Sequence, residues 1–371
     1  MTTVWLLANT LRYPGGGGHL WVYLNWALGL RANGCDVVWL EGVTPGTSPE
    51  DAGQALASLR GRLARYGLDG AIALHAEGES VDAGGEAAVH LAEASDADLL
   101  LDMSYATQEA LVGRFPKSAL LDIDPGLTQI WVSEGQFKLA THDLHFTIGE
   151  TVGQPGARFP DCGLSWLYTP PCVSLEHWRH TAPGPNYTTV SQWYGKNEWV
   201  LYGDESYDNS KRAGFLDYLD LAGQSPAPLE LAVNLGVDPV ELGNLERRGW
   251  IVRDAAAVSA TPWDYQAYVQ GSRGEFSCVK PSCVRLQNAW ISDRSLCYLA
   301  SGKPVVVQHT GPSRILPDDT GLLRFRTPEE ALLRLRQAEA DYDGHAAAAR
   351  RLAEDVFDAK KVTKRVLEQC L

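Results

Sequence analysis

The residues whose types suit chemistry fall into two groups. The first centres on His19, which follows Gly15-Gly16-Gly17-Gly18 and opens a long apolar run. A histidine at a helix start feels the positive end of the peptide dipoles, which lowers its pKa and favours the proton-accepting imidazole. Asp102 ends the strand-like run 98–103, and Asp124 directly follows another, 119–123. Either carboxylate can orient a histidine base from such a position. The second group lies in GEFSCVKPSCVRLQNAWISDRSLCYLASGKPVVVQHTG, residues 274–311. Lys280 offers a point charge for a phosphate, or is a solvated surface lysine. Ser292 occupies a helix N-cap position, where its hydroxyl serves the cap and can also reach an oxyanion. Asp293 suits the first turn of that helix. Arg294 opposes the dipole there, which points to an anionic ligand or a salt bridge. Thr310-Gly311 follows a valine run and allows close backbone approach to a ligand, or forms a plain turn.

These residues need elements to hold them. Residues 4–8 read as a first strand and 35–40 as a second. Between them a helix runs from Leu20 to Asn33-Gly34, with Leu20, Tyr23, Leu24, Ala27 and Leu28 near a 3.6-residue period. That is a βαβ unit with a glycine loop. The glycines do not spell the dinucleotide fingerprint, so no nicotinamide cofactor is expected. A bare loop at Gly17 and Gly18 still lets a ligand meet the backbone. Further strands are expected at 71–74, 98–103, 119–123 and 144–148, and helices at 51–66, 86–94 and 107–113. Residues 75–86 read as loop and 137–141 as a helical turn. Strand and helix alternate throughout, as in a doubly wound sheet. Proline and glycine crowd residues 149–187, after which the alternation resumes with strands at 188–191, 229–233 and 250–253 and helices near 211–219 and 263–269. In the 274–311 stretch Ser292 caps a helix ending before Gly302, Pro304 blocks its continuation, and Val305–Val307 form a strand buried on both faces. Thr327-Pro328-Glu329-Glu330 spells a capping box that opens another helix, and a basic helix runs from Ala359 to the end. The expected organisation is an N-terminal Rossmann-like domain at 1–170, a linker at 171–187, a second Rossmann-like domain at 188–355 and a C-terminal helix at 356–371. In open parallel sheets ligands bind beyond the carboxyl ends of strands and at helix N-termini.

At 371 residues the chain is long enough for two cores. Its net charge of −14 is uneven. Residues 1–170 carry 9 Lys and Arg against 20 Asp and Glu, and residues 171–371 carry 23 against 26. So acidic a chain is a poor polyanion binder, which disfavours a nucleic-acid partner. The 7 cysteines are odd in number and lack CxxC spacing, which suits buried free thiols in a reducing cytoplasm. No apolar run approaches the ~20 residues of a membrane helix, and the N-terminus lacks the basic segment of a signal peptide.

The stretch GEFSCVK, then ISDRSLCYLASGKPVVVQHTG, resembles the C-terminal half of bacterial nucleotide-sugar-dependent glycosyltransferases of the GT-B fold. GGGGHLWVYLNWALGLRANGCDVVWLE and LLDIDPGLTQ resemble the N-terminal unit of the same family, so the resemblance spans most of the chain. It departs from the family pattern at Val284, at Ala289 where a glycine falls, and at His309 where aspartate is frequent. The resemblance implies an α/β enzyme of two Rossmann-like domains facing a cleft, with the last helix crossing back to the first domain. It further implies that the C-terminal domain holds a nucleotide sugar, a UDP-sugar foremost, and that the N-terminal domain holds the acceptor. His19 would then take the acceptor proton, with Asp102 or Asp124 orienting it or Asp124 binding the acceptor directly. Gly17, Gly18, Lys280, Ser292, Asp293, Arg294, Thr310 and Gly311 would hold the donor, and Gln192-Trp193 would face its base. The Glu-x7-Glu pair of many retaining relatives is not apparent, so inversion is favoured. No tightly bound cofactor or metal is expected, Asp122-Ile123-Asp124 being read as a chance DxD. The acceptor is open, from a small molecule or glycan to a modified DNA base, as is a monomeric or homodimeric state. Two other readings stand beside transfer: an epimerase or hydrolase of the same fold, and a non-catalytic nucleotide-sugar binder.

Overall fold

The computed structural model describes residues 1–195, 198–236 and 238–371. It divides into two compact units, one of Met1–Gly153, Pro160–Ser174 and Ala359–Leu371, the other of Gln154–Phe159 and Leu175–Asp358. The first holds β1 (Thr3–Ala8), β2 (Asp36–Gly42), β3 (Ile72–Ala76), β4 (Glu79–Ser80), β5 (Leu99–Asp102), β6 (Ser118–Asp122), β7 (Leu144–Thr147) and β8 (Trp166–Tyr168). They form one sheet in the order β4-β3-β2-β1-β5-β6-β7-β8, parallel except at β3–β4. The second unit holds β9 (Tyr187–Gln192), β10 (Trp199–Tyr202), β11 (Glu205–Asp208), β12 (Leu229–Asn234), β13 (Ile251–Asp254), β14 (Gly274–Ser277), β15 (Val305–Gln308), β16 (Asp319–Thr320) and β17 (Leu322–Phe325). Its main sheet runs β13-β12-β9-β14-β15-β17-β16, antiparallel only at β16–β17, and β10–β11 form a separate hairpin.

Each sheet is built outward from a strand that begins its unit, so strand order reverses beside β1 and again beside β9. At such a reversal the connecting loops diverge and leave a crevice at the carboxyl ends of the strands. The central strands read as unbroken apolar runs because helices cover both faces. In β1, Val4, Trp5, Leu6 and Leu7 are all buried, as are Leu99–Leu101 of β5. In the second unit Phe215, Trp250, Phe276 and Phe325 meet in one core, Phe276 stacking on Phe325 at 5.5 Å.

The first helix spans Gly17–Ala32 and is buried almost all round, because the last helix, Ala359–Cys370, lies against it. Gly29 permits that contact: a Cβ there would sit 2.6 Å from the Ala359 carbonyl.

Several local expectations are corrected. The first helix begins at Gly17 rather than Leu20, so Gly17 and Gly18 are helical. The helix expected at 86–94 is instead a short 3-10 turn, Leu91–Asp96, because Val89 donates its N–H to Ile72 at the sheet edge. Residues 137–141 are not helical, whereas Leu127–Ser133 are, after Gly126 turns the chain at φ 88°. A helix at Pro239–Arg247, capped by Asp238, had no counterpart in the sequence reading. β4 falls inside the expected loop 75–86, and β8 lies inside the proline-rich segment as the outermost strand of the first sheet.

Candidate active site

In the first unit the loop after β1 makes two successive turns, Tyr13 N–H to Thr10 O and Gly16 N–H to Tyr13 O. Glu41, fully buried at the end of β2, anchors this loop. Its carboxylate accepts from the Thr10 and Leu11 backbones, the Thr10 hydroxyl and Trp39 Nε1. The helix then starts at Gly17 with no side-chain cap and no acidic residue in its first turn. His19 in that turn points its Nε2 at the Asn9 carbonyl, 2.9 Å away. A carbonyl only accepts, so Nε2 carries the hydrogen and the lone pair resides on Nδ1. Tyr13 and Tyr23 pack edge-on against the ring at 4.5 and 5.3 Å. Burial lowers the His19 pKa, partly offset by the Asn9 carbonyl and by the negative charge of Asp124. Burial thus favours the neutral imidazole.

Asp124 is the carboxylate associated with His19. Its Oδ2 accepts from Tyr105 OH at 3.1 Å, and its charge also acts on Tyr23. Asp122, two residues earlier, is saturated by four donors: Thr128 Oγ1, Gln129 Nε2, Thr147 Oγ1 and the Asp124 backbone. Burial pushes its pKa up to about 6. Its work is to fix the loop that carries Asp124. Asp102 is a correction. It is fully buried, its Oδ2 lies 3.1 Å from His142 Nε2, and its Oδ1 accepts from the Ser104 backbone. The strand end points this carboxylate into the fold, where His142 and not His19 is its partner.

In the second unit a solvent-open pocket lies at the carboxyl ends of β14 and β15. Ser277, Trp290, Ser292, Arg294, Gln308 and Thr310 are among its lining. Ser292 caps the helix Asp293–Ala300, accepting from the Arg294 backbone. Burial raises the Asp293 pKa to about 6. Arg294 donates from Nε to Glu275 Oε1 at 2.7 Å, from Nη1 to the Val190 carbonyl and from Nη2 to Ser277 Oγ. These three bonds leave two of its five N–H groups for a ligand. Arg294 thus forms the salt bridge to Glu275 and also lines the pocket.

Lys211, which sequence reasoning missed, stands behind this wall. It is buried and donates to Ser277 Oγ at 3.2 Å and to the Cys278 carbonyl. Burial, then the neighbouring Arg294 charge, lower its pKa to about 7. An isolated Lys-Arg pair in a surface-like segment gave no signal that the fold would bury the lysine beside Arg294.

Four other residues expected at the donor are placed as follows. Trp193 is fully buried in the core against Phe215, its Nε1 donating to Glu241, so it offers no face to a base. Gln192 is exposed at the end of β9. Lys280 pairs with Glu198 at 2.8 Å. Gly311 permits the packing of two backbones: its φ is 135° and a Cβ would lie 2.5 Å from the Gln287 carbonyl. Ala289 N–H donates to Thr310 O, and Thr310 Oγ1 donates to Trp290 O, across the same seam. Ala289 itself has φ 55°, which explains physically why a glycine falls at this place in the family the sequence resembles. Replacing Ala289 with glycine is expected to stabilise the protein by about 1 kcal/mol, relief of left-handed strain outweighing the lost methyl. Gly311→Ala is expected to destabilise it. Thermal unfolding of the two variants checks both signs.

No protein-family model matches the sequence, and no curated protein matches it. Solved structures do. An alpha-glucosyltransferase in complex with UDP-glucose and DNA containing an abasic site aligns over 99% of both chains, with TM-score 0.58 and 11% identity. Sucrose-phosphate synthase from Thermosynechococcus elongatus aligns over 100% of this chain and 98% of its own, with TM-score 0.53 and 11% identity. AviGT4, a glycosyltransferase involved in avilamycin A biosynthesis, aligns over 100% and 97%, with TM-score 0.51 and 15% identity. With two Rossmann-like units and a last helix returned to the first of them, the chain has the GT-B fold of these glycosyltransferases.

Proposed function

We propose that the protein is a glycosyltransferase that moves a sugar from a nucleoside-diphosphate sugar, foremost a UDP-sugar, to an acceptor hydroxyl. The observation that carries this reading is the second-unit pocket. It sets a helix N-terminus and the remaining N–H groups of Arg294 at the carboxyl end of a parallel sheet, with the buried Lys211 behind the pocket wall. That combination stabilises a diphosphate as negative charge develops on it. In the first unit His19 Nδ1 takes the acceptor proton. The acceptor oxygen bonds to the anomeric carbon, and the bond from that carbon to the phosphate oxygen breaks, its electrons leaving on the nucleoside diphosphate. Asp124 stabilises the imidazolium. This single displacement inverts the anomeric centre. Seven thiols with no disulfide between them are in keeping with a cytoplasmic setting. Among the described residues no helix is long and apolar enough to cross a membrane.

A panel of nucleotides and nucleotide sugars tests the donor. A bound member at a hundredfold excess over Kd raises stability by about 2.7 kcal/mol, read as a thermal shift. No shift with any of them overturns the proposal. Nucleoside diphosphate released only when acceptor is present marks transfer, and release without acceptor marks a hydrolase. Interconversion of the donor sugar marks an epimerase.

A further inference from the structure

We infer that the acceptor is an uncharged ring compound whose face stacks on Tyr105, Trp131 and Phe137 while its hydroxyl meets Asp124 and His19. The inference rests on the first unit taking the acceptor. The three rings come from separate segments after β5 and β6: the loop that follows β5, the helix Leu127–Ser133 and the loop beyond it. Tyr105 and Phe137 are stacked with centroids 5.7 Å apart and 24° between planes, and Trp131 lies 5.8 Å from Tyr105 and 6.2 Å from Phe137. Packing explains most large aromatics of this unit, since Trp5, Trp21 and Trp39 are at most 1% exposed. Tyr105, Trp131 and Phe137 instead keep part of their surface in water.

The cluster is wired to the proposed base. Tyr105 OH donates to Asp124 Oδ2, and the Asp124 charge acts on His19. A ligand lying on these rings therefore has its edge beside the carboxylate. Aromatic faces take up the C–H face of a sugar or the π face of a planar ring, and both belong to one class of ring alcohol. The charges nearby disfavour an anion. Asp122, Asp124 and Glu134 flank the cluster on its own loop and helix, and the cations of the neighbouring loops are the exposed Arg12 and Lys138. The unit as a whole holds 12 Lys and Arg against 21 Asp and Glu. A nucleic-acid backbone needs a basic track to release its counterions, and this unit is acidic instead.

The test uses the full chain, the nucleotide sugar that binds, and three acceptor sets: neutral glycosides, aryl alcohols and a 13-mer DNA duplex with hydroxymethylated bases. Transfer to a glycoside or an aryl alcohol is expected, and which set turns over separates the two sources of ring. Trp131→Ala and Phe137→Ala should raise acceptor KM about five- to tenfold. Donor KM should stay unchanged, and Trp131→Phe should restore most of the loss. Preferred transfer to the duplex, or an acceptor KM indifferent to both alanine variants, overturns the inference. So does the absence of turnover with every ring alcohol while the nucleotide sugar still binds. Failure of the nucleotide sugar to bind would instead strike the transferase reading itself.

Discussion

Replacing His19 with alanine is expected to lower kcat for sugar transfer about 10²- to 10⁴-fold, the range for loss of a positioned general base. Donor affinity should be unchanged, because the pocket proposed for the donor is lined by the second unit and does not include His19. The pH profile carries the sharper information. With His19 as the proposed base, transfer needs the neutral imidazole, and the rate is expected to be lost as pH falls through the His19 pKa. Burial places that pKa below the usual 6.5, so the acid limb of kcat/KM, which reports the free enzyme, should lie below 6.5. Asp124→Asn removes a charge that raises the His19 pKa, so the limb should move to still lower pH as the maximal rate falls. Added imidazole should restore part of the His19→Ala rate, which a packing role would not allow. An acid limb above 6.5, or an alanine variant with more than about a tenth of the wild-type rate, would remove His19 from the base role.

Arg294→Ala is expected to destabilise the protein by about 3–5 kcal/mol, the loss seen when one partner of a buried pair is removed. Glu275 is fully buried, with Arg294 Nε at 2.7 Å from one oxygen, and its other oxygen has no hydrogen-bond partner. Without the guanidinium the carboxylate is left charged in a dry setting, or must take up a proton. The Val190 carbonyl and Ser277 hydroxyl also lose a donor. The double variant Glu275→Gln with Arg294→Met should recover most of the stability, since no uncompensated charge remains. It should not recover nucleotide-sugar binding, because the N–H groups facing the pocket are gone. Thermal unfolding and nucleotide titration of the single and double variants read the two effects separately. Full recovery of both would confine Arg294 to a structural role, and no loss of stability in the single variant would contradict the buried pair.

Much of this molecule was legible along the chain. Apolar runs such as Val4–Leu7 and Val305–Val307 mark central parallel strands because both of their faces are covered. The Ser292 cap and the Gly302 stop bounded the helix Asp293–Ala300 because capping is a local interaction of side chain with neighbouring backbone. The weight on His19 and Asp124 followed from the same local logic, a strand end and a helix start.

What the chain could not disclose depends on partners distant in sequence. Asp102 and Asp124 look alike beside their strands, yet one faces His142 and the other Tyr105 and His19, because the side chain of a strand-end residue can turn into the fold or toward the loops. At Gly311 the close approach of backbone to Gln287 shows only in the folded seam. Lys211 lies 66 residues from Ser277 and became buried through tertiary packing. The sequence by itself determined the two Rossmann-like units and the kinds of residue at their carboxyl edges, since periodicity, caps and turns are local. Tertiary structure alone decided which charges are paired, which rings stay partly in water and which histidine nitrogen holds the lone pair, since each depends on a long-range contact.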